Sequence, residues 1–180
     1  MKTLSSFLAL AAFVTTASAA TLYDVPLKDI DGKETTLKPY EGKVMLIVNV
    51  ASKCGNTKQY KELQALHQEF EKEGLAVLGF PSNDFGGQEP GTNEQIKEFC
   101  STKYNVTFPM FDKVVVKGSD KHPLYQELSG KESPFPGDVK WNFGKFLVGR
   151  DGKIIARFDP KTKPDDVTVT KAIKDALAKK

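Results

Sequence analysis

Apolar and polar residues along this chain change period in an order that predicts its elements. From Leu22 to Ile30 they alternate loosely, Asp31-Gly32 is a hairpin turn pair, and Lys33 to Leu37 is expected to return as a strand. Val44 to Val50 is almost continuously apolar, as in a strand covered on both faces. Between Lys58 and about Glu73 the period becomes helical. Tyr60, Leu63, Leu66, His67 and Phe70 fall on one face, and Gly74 is placed to end the helix. Leu75 to Phe80 reads as a second buried strand, giving a βαβ unit with a parallel pair.

Ser82 to Gly91 is turn-rich, and Thr92-Asn-Glu-Gln95 is a capping box that opens a second helix. On that helix Ile96, Phe99 and Cys100 share the inward face. Lys113 to Val116 is expected as a short strand and Pro123 to Leu128 as a short helix. Lys145 to Val148, the turn Gly149-Arg150-Asp151-Gly152 and Lys153 to Phe158 form an antiparallel hairpin. Pro164 is expected to start a terminal helix whose Val169, Ile173, Ala176 and Leu177 face inward. There are no repeats or internal linkers. The order βαβ, α, ββα predicts a thioredoxin-like three-layer α/β fold, a central mixed β-sheet flanked by helices.

The first 19 residues change the picture of where this domain works. Lys2 supplies a charged start, Phe7 to Val14 a short apolar core, and Ala17-Ser18-Ala19 a cleavage site, the three parts of a secretory signal peptide. The apolar stretch is shorter than the ~20 residues needed to cross a bilayer. Residues 1–19 are therefore expected to be removed and residues 20–180 exported, to a periplasm or the outside, as one domain with no transmembrane segment. That length buries a core without disulfide staples. The net charge of +3, less Lys2, leaves +2, and the lysines lie among acids without forming a basic stripe. Such a distribution argues against nucleic acid as a partner.

An exported chain with two cysteines suggests one structural disulfide. The neighbourhoods of the two thiols point elsewhere. Cys54 follows the apolar run in a small polar loop just ahead of a helix, a place that suits a reactive thiol. An ordinary thiol has a pKa of ~8.5, and the helix dipole is worth under ~1 kcal/mol against ~1.4 kcal/mol per pKa unit. Further hydrogen-bond donors to the sulfur are needed. Lys53 is a solvated lysine or an added positive charge. Cys100, on an apolar helix face, reads as a small core residue with a raised pKa. His67 and His122 are expected to be structural or exposed rather than metal ligands, and no metal or other cofactor is implied.

Four blocks carry a resemblance to a known family: Asn49-Val-Ala-Ser-Lys-Cys-Gly55, Gly79-Phe-Pro-Ser-Asn-Asp-Phe-Gly-Gly-Gln-Glu-Pro-Gly91, Ile96-Lys-Glu-Phe-Cys100 and Trp141-Asn-Phe-Gly-Lys-Phe-Leu-Val148. The chain resembles the glutathione peroxidase family, in particular its cysteine-containing, thioredoxin-dependent, monomeric branch. The resemblance implies that Cys54 is the peroxidatic cysteine, with Gln88, Trp141 and Asn142 completing a catalytic tetrad, and that Cys100 is the resolving cysteine. It implies reduction of hydrogen peroxide and of organic or lipid hydroperoxides, with a thioredoxin-like protein or glutathione as reductant. Ser82 departs from the cysteine that many relatives carry there, and Lys58 from a frequent proline. The short Gly130–Lys140 segment is similar to that of monomeric relatives with an open active-site surface. No glutathione-binding arginine cluster is evident, since Arg150 and Arg157 are the only arginines. Competing expectations are a peroxide-driven thiol oxidase or redox sensor that passes its disulfide to partner proteins, and a thioredoxin-like interaction module with a static disulfide.

Overall fold

A computed structural model describes residues 21–179; the expected signal peptide at 1–19 lies outside the described residues. The chain begins with a two-residue antiparallel pair, β1 (Leu27–Lys28) and β2 (Glu34–Thr35). Both are shorter than the periodicity predicts. The Asp29 carboxylate takes the Asp31 and Lys33 N–H groups at 3.0 and 2.9 Å, and 3₁₀ turns wind Leu22–Asp24 and Lys38–Tyr40. Donors held in local turns do not extend a ladder.

The centre is built from β3 (Val44–Val50), α1 (Gln59–Phe70) and β4 (Leu75–Pro81). Every residue of β3 and β4 is buried, and the two strands run parallel, from Val44 opposite Leu75 to Val50 opposite Pro81. α1 passes through a 3₁₀ turn and ends at Gly74, whose φ of 103° lies in the left-handed region open to glycine. Next come α2 (Asn93–Tyr104), α3 (Pro123–Ser129), the antiparallel strands β5 (Lys145–Val148) and β6 (Ile154–Phe158), and α4 (Val167–Leu177). The four-stranded sheet has the order β4-β3-β5-β6, with β5 antiparallel to β3.

Side chains alternate across the sheet. Val44, Leu46, Val48 and Val50 join Tyr60, Leu63, Ile96, Cys100 and Ile173 on the face covered by α1, α2 and α4. Met45 and Ile47 join Phe80, Leu124, Tyr125 and Phe146 on the other. This is the thioredoxin-like architecture expected from the element order.

Two expectations are corrected. Lys113 to Val116 is not a strand. The preceding segment touches the sheet edge through single bridges, Met110 with Gly79 and Phe111 with Asp29. Beyond them the Asp112 N–H reaches Lys28, the Val114 N–H reaches Pro81, where β4 ends, and the Val116 N–H turns to the Asp84 carboxylate at 2.6 Å. No strand remains there to pair with. The last helix begins at Val167 rather than Pro164, because the Asp166 carboxylate caps it by accepting the Thr168 N–H at 2.8 Å.

Candidate active site

β3 delivers the chain to a tight turn that carries Cys54. The Thr57 hydroxyl, buried, donates to the Ala51 carbonyl at 2.8 Å and accepts the Cys54 N–H at 2.9 Å, while the Thr57 N–H returns to the Cys54 carbonyl at 3.0 Å. With the backbone held this way, the Asn56 N–H points at the Cys54 sulfur, 3.4 Å away. A donor of the kind the sulfur needs thus comes from the turn itself, ahead of the helix.

A second turn, just before β5, is fastened to the same strand. The fully buried Asn49 donates from Nδ2 to the Trp141 carbonyl at 3.1 Å, and its own carbonyl accepts the Phe143 N–H at 2.6 Å. Phe143 is completely buried at φ 69°, set edge-on to Tyr60 with ring centroids 5.4 Å apart. A non-glycine residue in this region is strained, and burial of its ring offsets that strain. Gly144 has no side chain because a Cβ there would meet Asn49 Oδ1 at 3.0 Å and Val139 at 2.9 Å.

These two turns and the Ser82–Gly91 loop bring the predicted residues together. Asn142, fully buried, donates from Nδ2 to Gln88 Oε1 at 3.0 Å, and its carbonyl faces the Asn56 amide at 3.5 Å. The Gln88 carbonyl accepts the Lys53 N–H at 3.0 Å, which ties its loop to the residue before the thiol. Because Gln88 uses its side-chain oxygen on Asn142, its NH₂ group is left to donate elsewhere. Trp141 is 42% exposed, lies 5.4 Å from the Phe85 ring, and with Cys54 lines an open cleft of about 620 Å³.

Cys100 does not line this cleft. It sits 1% exposed on α2, in the core whose margin Cys54 joins, and both thiols are free. Burial pushes the Cys100 thiol up to about 11. The Tyr60 hydroxyl stands beside it, short of ordinary hydrogen-bond geometry.

Several supporting residues escaped the sequence reading. Asn49 and Thr57 act through side-chain bonds to main-chain groups and Asn56 through its own N–H, contacts that no sequence pattern reveals. Lys145 did leave a signal, a lysine inside the apolar run Phe143–Val148. It is fully buried, and its Nζ donates to the carbonyls of Phe143 at 2.7 Å and Thr162 at 2.8 Å. Gln59 donates to Pro160 at 2.8 Å. Lys145 and Gln59 thus hold the 159–162 segment that forms the far wall of the cleft. Burial lowers the Lys145 pKa to about 7, against the pull of Glu62. Of the histidines, His67 is buried 3.6 Å from Glu71, and His122 caps α3 by accepting the Leu124 N–H.

A half-buried thiol at the strand-to-helix turn of a thioredoxin-like sheet, with a main-chain N–H on its sulfur and an exposed indole lining the same cleft, defines a thiol-dependent oxidoreductase. Comparison with known proteins narrows that class. The family model described as glutathione peroxidase matches residues 22–129. The chain is 48% identical over 174 residues to the thioredoxin/glutathione peroxidase BtuE of Escherichia coli, covering 85% of this chain and 95% of the relative. It is 50% identical over 154 residues to the hydroperoxy fatty acid reductase gpx1 of Synechocystis, covering 82% and 91%. Among solved structures, Trgpx in its apo form superposes with a TM-score of 0.70 at 38% identity, over 89% of this chain and 98% of the other. For T. cruzi GPX1 the values are 0.70, 32%, 88% and 97%. The chain belongs to the glutathione peroxidase family. It is a peroxidase, an oxidoreductase that reduces hydroperoxides by thiol chemistry. Among the described residues no helix is long and apolar enough to cross a membrane.

Proposed function

We propose that Cys54 is the peroxidatic cysteine of a two-cysteine peroxidase in which Gln88, Trp141 and Asn142 assist it and Cys100 resolves it. The Cys54 thiolate attacks one oxygen of the hydroperoxide. The O–O bond breaks, the sulfur becomes a sulfenic acid, and the departing oxygen takes a proton to leave as water or an alcohol. The Gln88 NH₂ and the Trp141 indole N–H are donors suited to the thiolate and to charge developing on the departing oxygen. Asn142 orients Gln88. The Cys100 thiol then condenses with the sulfenic acid, releasing water and leaving a disulfide that an external thiol reductant opens. The observation that carries this reading is the connected set of bonds from Asn56 N–H on the sulfur, through Asn142, to Gln88.

The open cleft beside the exposed Trp141 supports access by bulky organic and lipid hydroperoxides as well as hydrogen peroxide. The reductant is a thioredoxin-like protein or glutathione, the working form a monomer, and the mature enzyme an exported 20–180 domain. Stopped-flow peroxide reduction tests the site. Cys54→Ser is expected to lose the fast reaction, and Cys100→Ser to keep the first turnover while losing thioredoxin-supported cycling. Fast reduction retained by Cys54→Ser would overturn the assignment.

A further inference from the structure

We propose that Glu89 is the proton acceptor and donor for closure of the Cys54–Cys100 disulfide, an inference that rests on the resolving role given to Cys100. Glu89 is only 1% exposed. One carboxylate oxygen accepts the Ser52 hydroxyl at 3.1 Å, and its main-chain N–H is held by Asn83 Oδ1 at 2.8 Å. Ser52 lies two residues before Cys54, and Glu89 directly follows Gln88. Beside them is a cavity of about 470 Å³, with Ser52, Lys53 and Glu89 on one side and Gln95, Ile96 and Phe99 of α2 on the other. Its walls are therefore the loop that carries Cys54 and the helix that carries Cys100. Glu89 is the one carboxylate among its described lining residues. The negative charge of Glu89 is felt by both Cys100 and Tyr60, and holds their protons on more firmly.

Disulfide closure has a proton problem that this placement answers. A Cys100 thiol raised to about 11 carries its proton at neutral pH, and a thiol is a poor nucleophile. The hydroxyl on the Cys54 sulfenic acid is a poor leaving group unless it is protonated. As α2 loosens and Cys100 crosses the cavity, the Glu89 carboxylate takes the thiol proton and passes it to the departing oxygen. The S–S bond forms, the S–O bond breaks and water leaves. Cys100 sulfur is oxidised as Cys54 sulfur is reduced, and the carboxylate ends as it began. The groups that face Glu89 tune it. Burial raises its pKa, which Ser52, Lys113 and Lys53 partly oppose. Lys113 is itself fixed on the Gly91 carbonyl at 2.6 Å. A base raised toward the working pH exchanges protons in both directions more readily than an ordinary carboxylate. Structure alone does not account for a carboxylate here, because a neutral glutamine could accept the same Ser52 bond without a buried charge.

The test is a single turnover with one equivalent of hydrogen peroxide, following closure by loss of dimedone-reactive sulfenic acid and by gain of the Cys54–Cys100 disulfide in mass spectra. The peroxide-reduction phase of the same trace serves as internal reference. Relative to it, Glu89→Gln is expected to slow closure roughly 100-fold, the lower end of the usual range for general acid–base catalysis. It is also expected to abolish the acid limb of the closure pH profile, and Glu89→Asp to recover part of the rate and the limb. A Glu89→Gln protein that closes at the wild-type rate with the wild-type pH profile overturns the role of Glu89 alone. Wild-type protein that forms no Cys54–Cys100 disulfide, with sulfenic acid as long-lived as in Cys100→Ser, overturns the resolving role and this proposal with it.

Discussion

Lys145 is a buried cation between two carbonyls, and its effect on the protein depends on pH in a way that can be derived. Its pKa falls from 10.5 to about 7 on folding because the ammonium loses its water. Between those values the unfolded chain binds a proton that the folded chain does not. Stability from this group therefore rises with pH across that window, by up to about 1.4 kcal/mol per pH unit. Below about pH 7 both states are charged and the burial penalty is at its full, constant value. Urea unfolding of wild type and Lys145→Met at pH 6.5 and 9 should show the stability difference moving in favour of wild type at the higher pH. A difference that does not change between the two would show that Lys145 is not desolvated. At this scale the loop around Cys54 singled out the thiol, while Gln88, Trp141 and Asn142 were implied only by the resemblance. Sequence reading missed Asn56, whose main-chain N–H is aimed by the path of the turn, and Thr57, whose hydroxyl finds its main-chain partners only once the turn has formed.

Among the elements, α2 is the one whose sequence signals were most complete and whose behaviour the proposed chemistry most strains. The capping box forms as expected, with Thr92 accepting the Gln95 N–H and Gln95 Oε1 accepting the Thr92 N–H at 3.0 Å. At the other end Asn105 turns left-handed at φ 51° and closes back on the Cys100 and Ser101 carbonyls. Cys100 thus lies in the last turn of a helix capped at both ends, facing the core. In the proposed cycle the buried Cys100 reaches Cys54 by release of that turn, so oxidation is expected to raise hydrogen exchange in α2 well above that of α1. Equal protection of α2 in reduced and oxidised protein would contradict the two-cysteine cycle. The long buried strands were legible to within a residue because burial on both faces imposes a continuous apolar run. β1, β2 and the 113–116 segment were not, since there the choice between ladder and turn depended on partners distant in sequence.

The whole molecule is tied at one end by Arg150, whose guanidinium and Nε donate to the carbonyls of Gly42, Glu73, Leu177 and Lys179 at 3.0 to 3.3 Å. These bonds join the entry to β3, the end of α1 and the C-terminus of α4 to the β5–β6 turn. Replacing Arg150 with alanine leaves several carbonyls to water and loosens the docking of α4, at an expected cost of about 1–3 kcal/mol. Thermal unfolding should report it as a fall of roughly 2–10 °C, with little effect on the single-turnover rate of peroxide reduction, because the clamp is remote from Cys54. An unchanged transition would show that these bonds merely exchange for water. The βαβ core, the helix signals and a thiol poised after a buried strand could be read along the chain, because they follow from local periodicity and loop chemistry. It takes the folded packing to show that Asn142 grips Gln88, that Lys145 braces the cleft wall and that Glu89 stands between the loop of Cys54 and the helix of Cys100. Such contacts join residues tens of positions apart, and their geometry is fixed by how the sheet and helices pack rather than by any stretch of sequence that could be read alone.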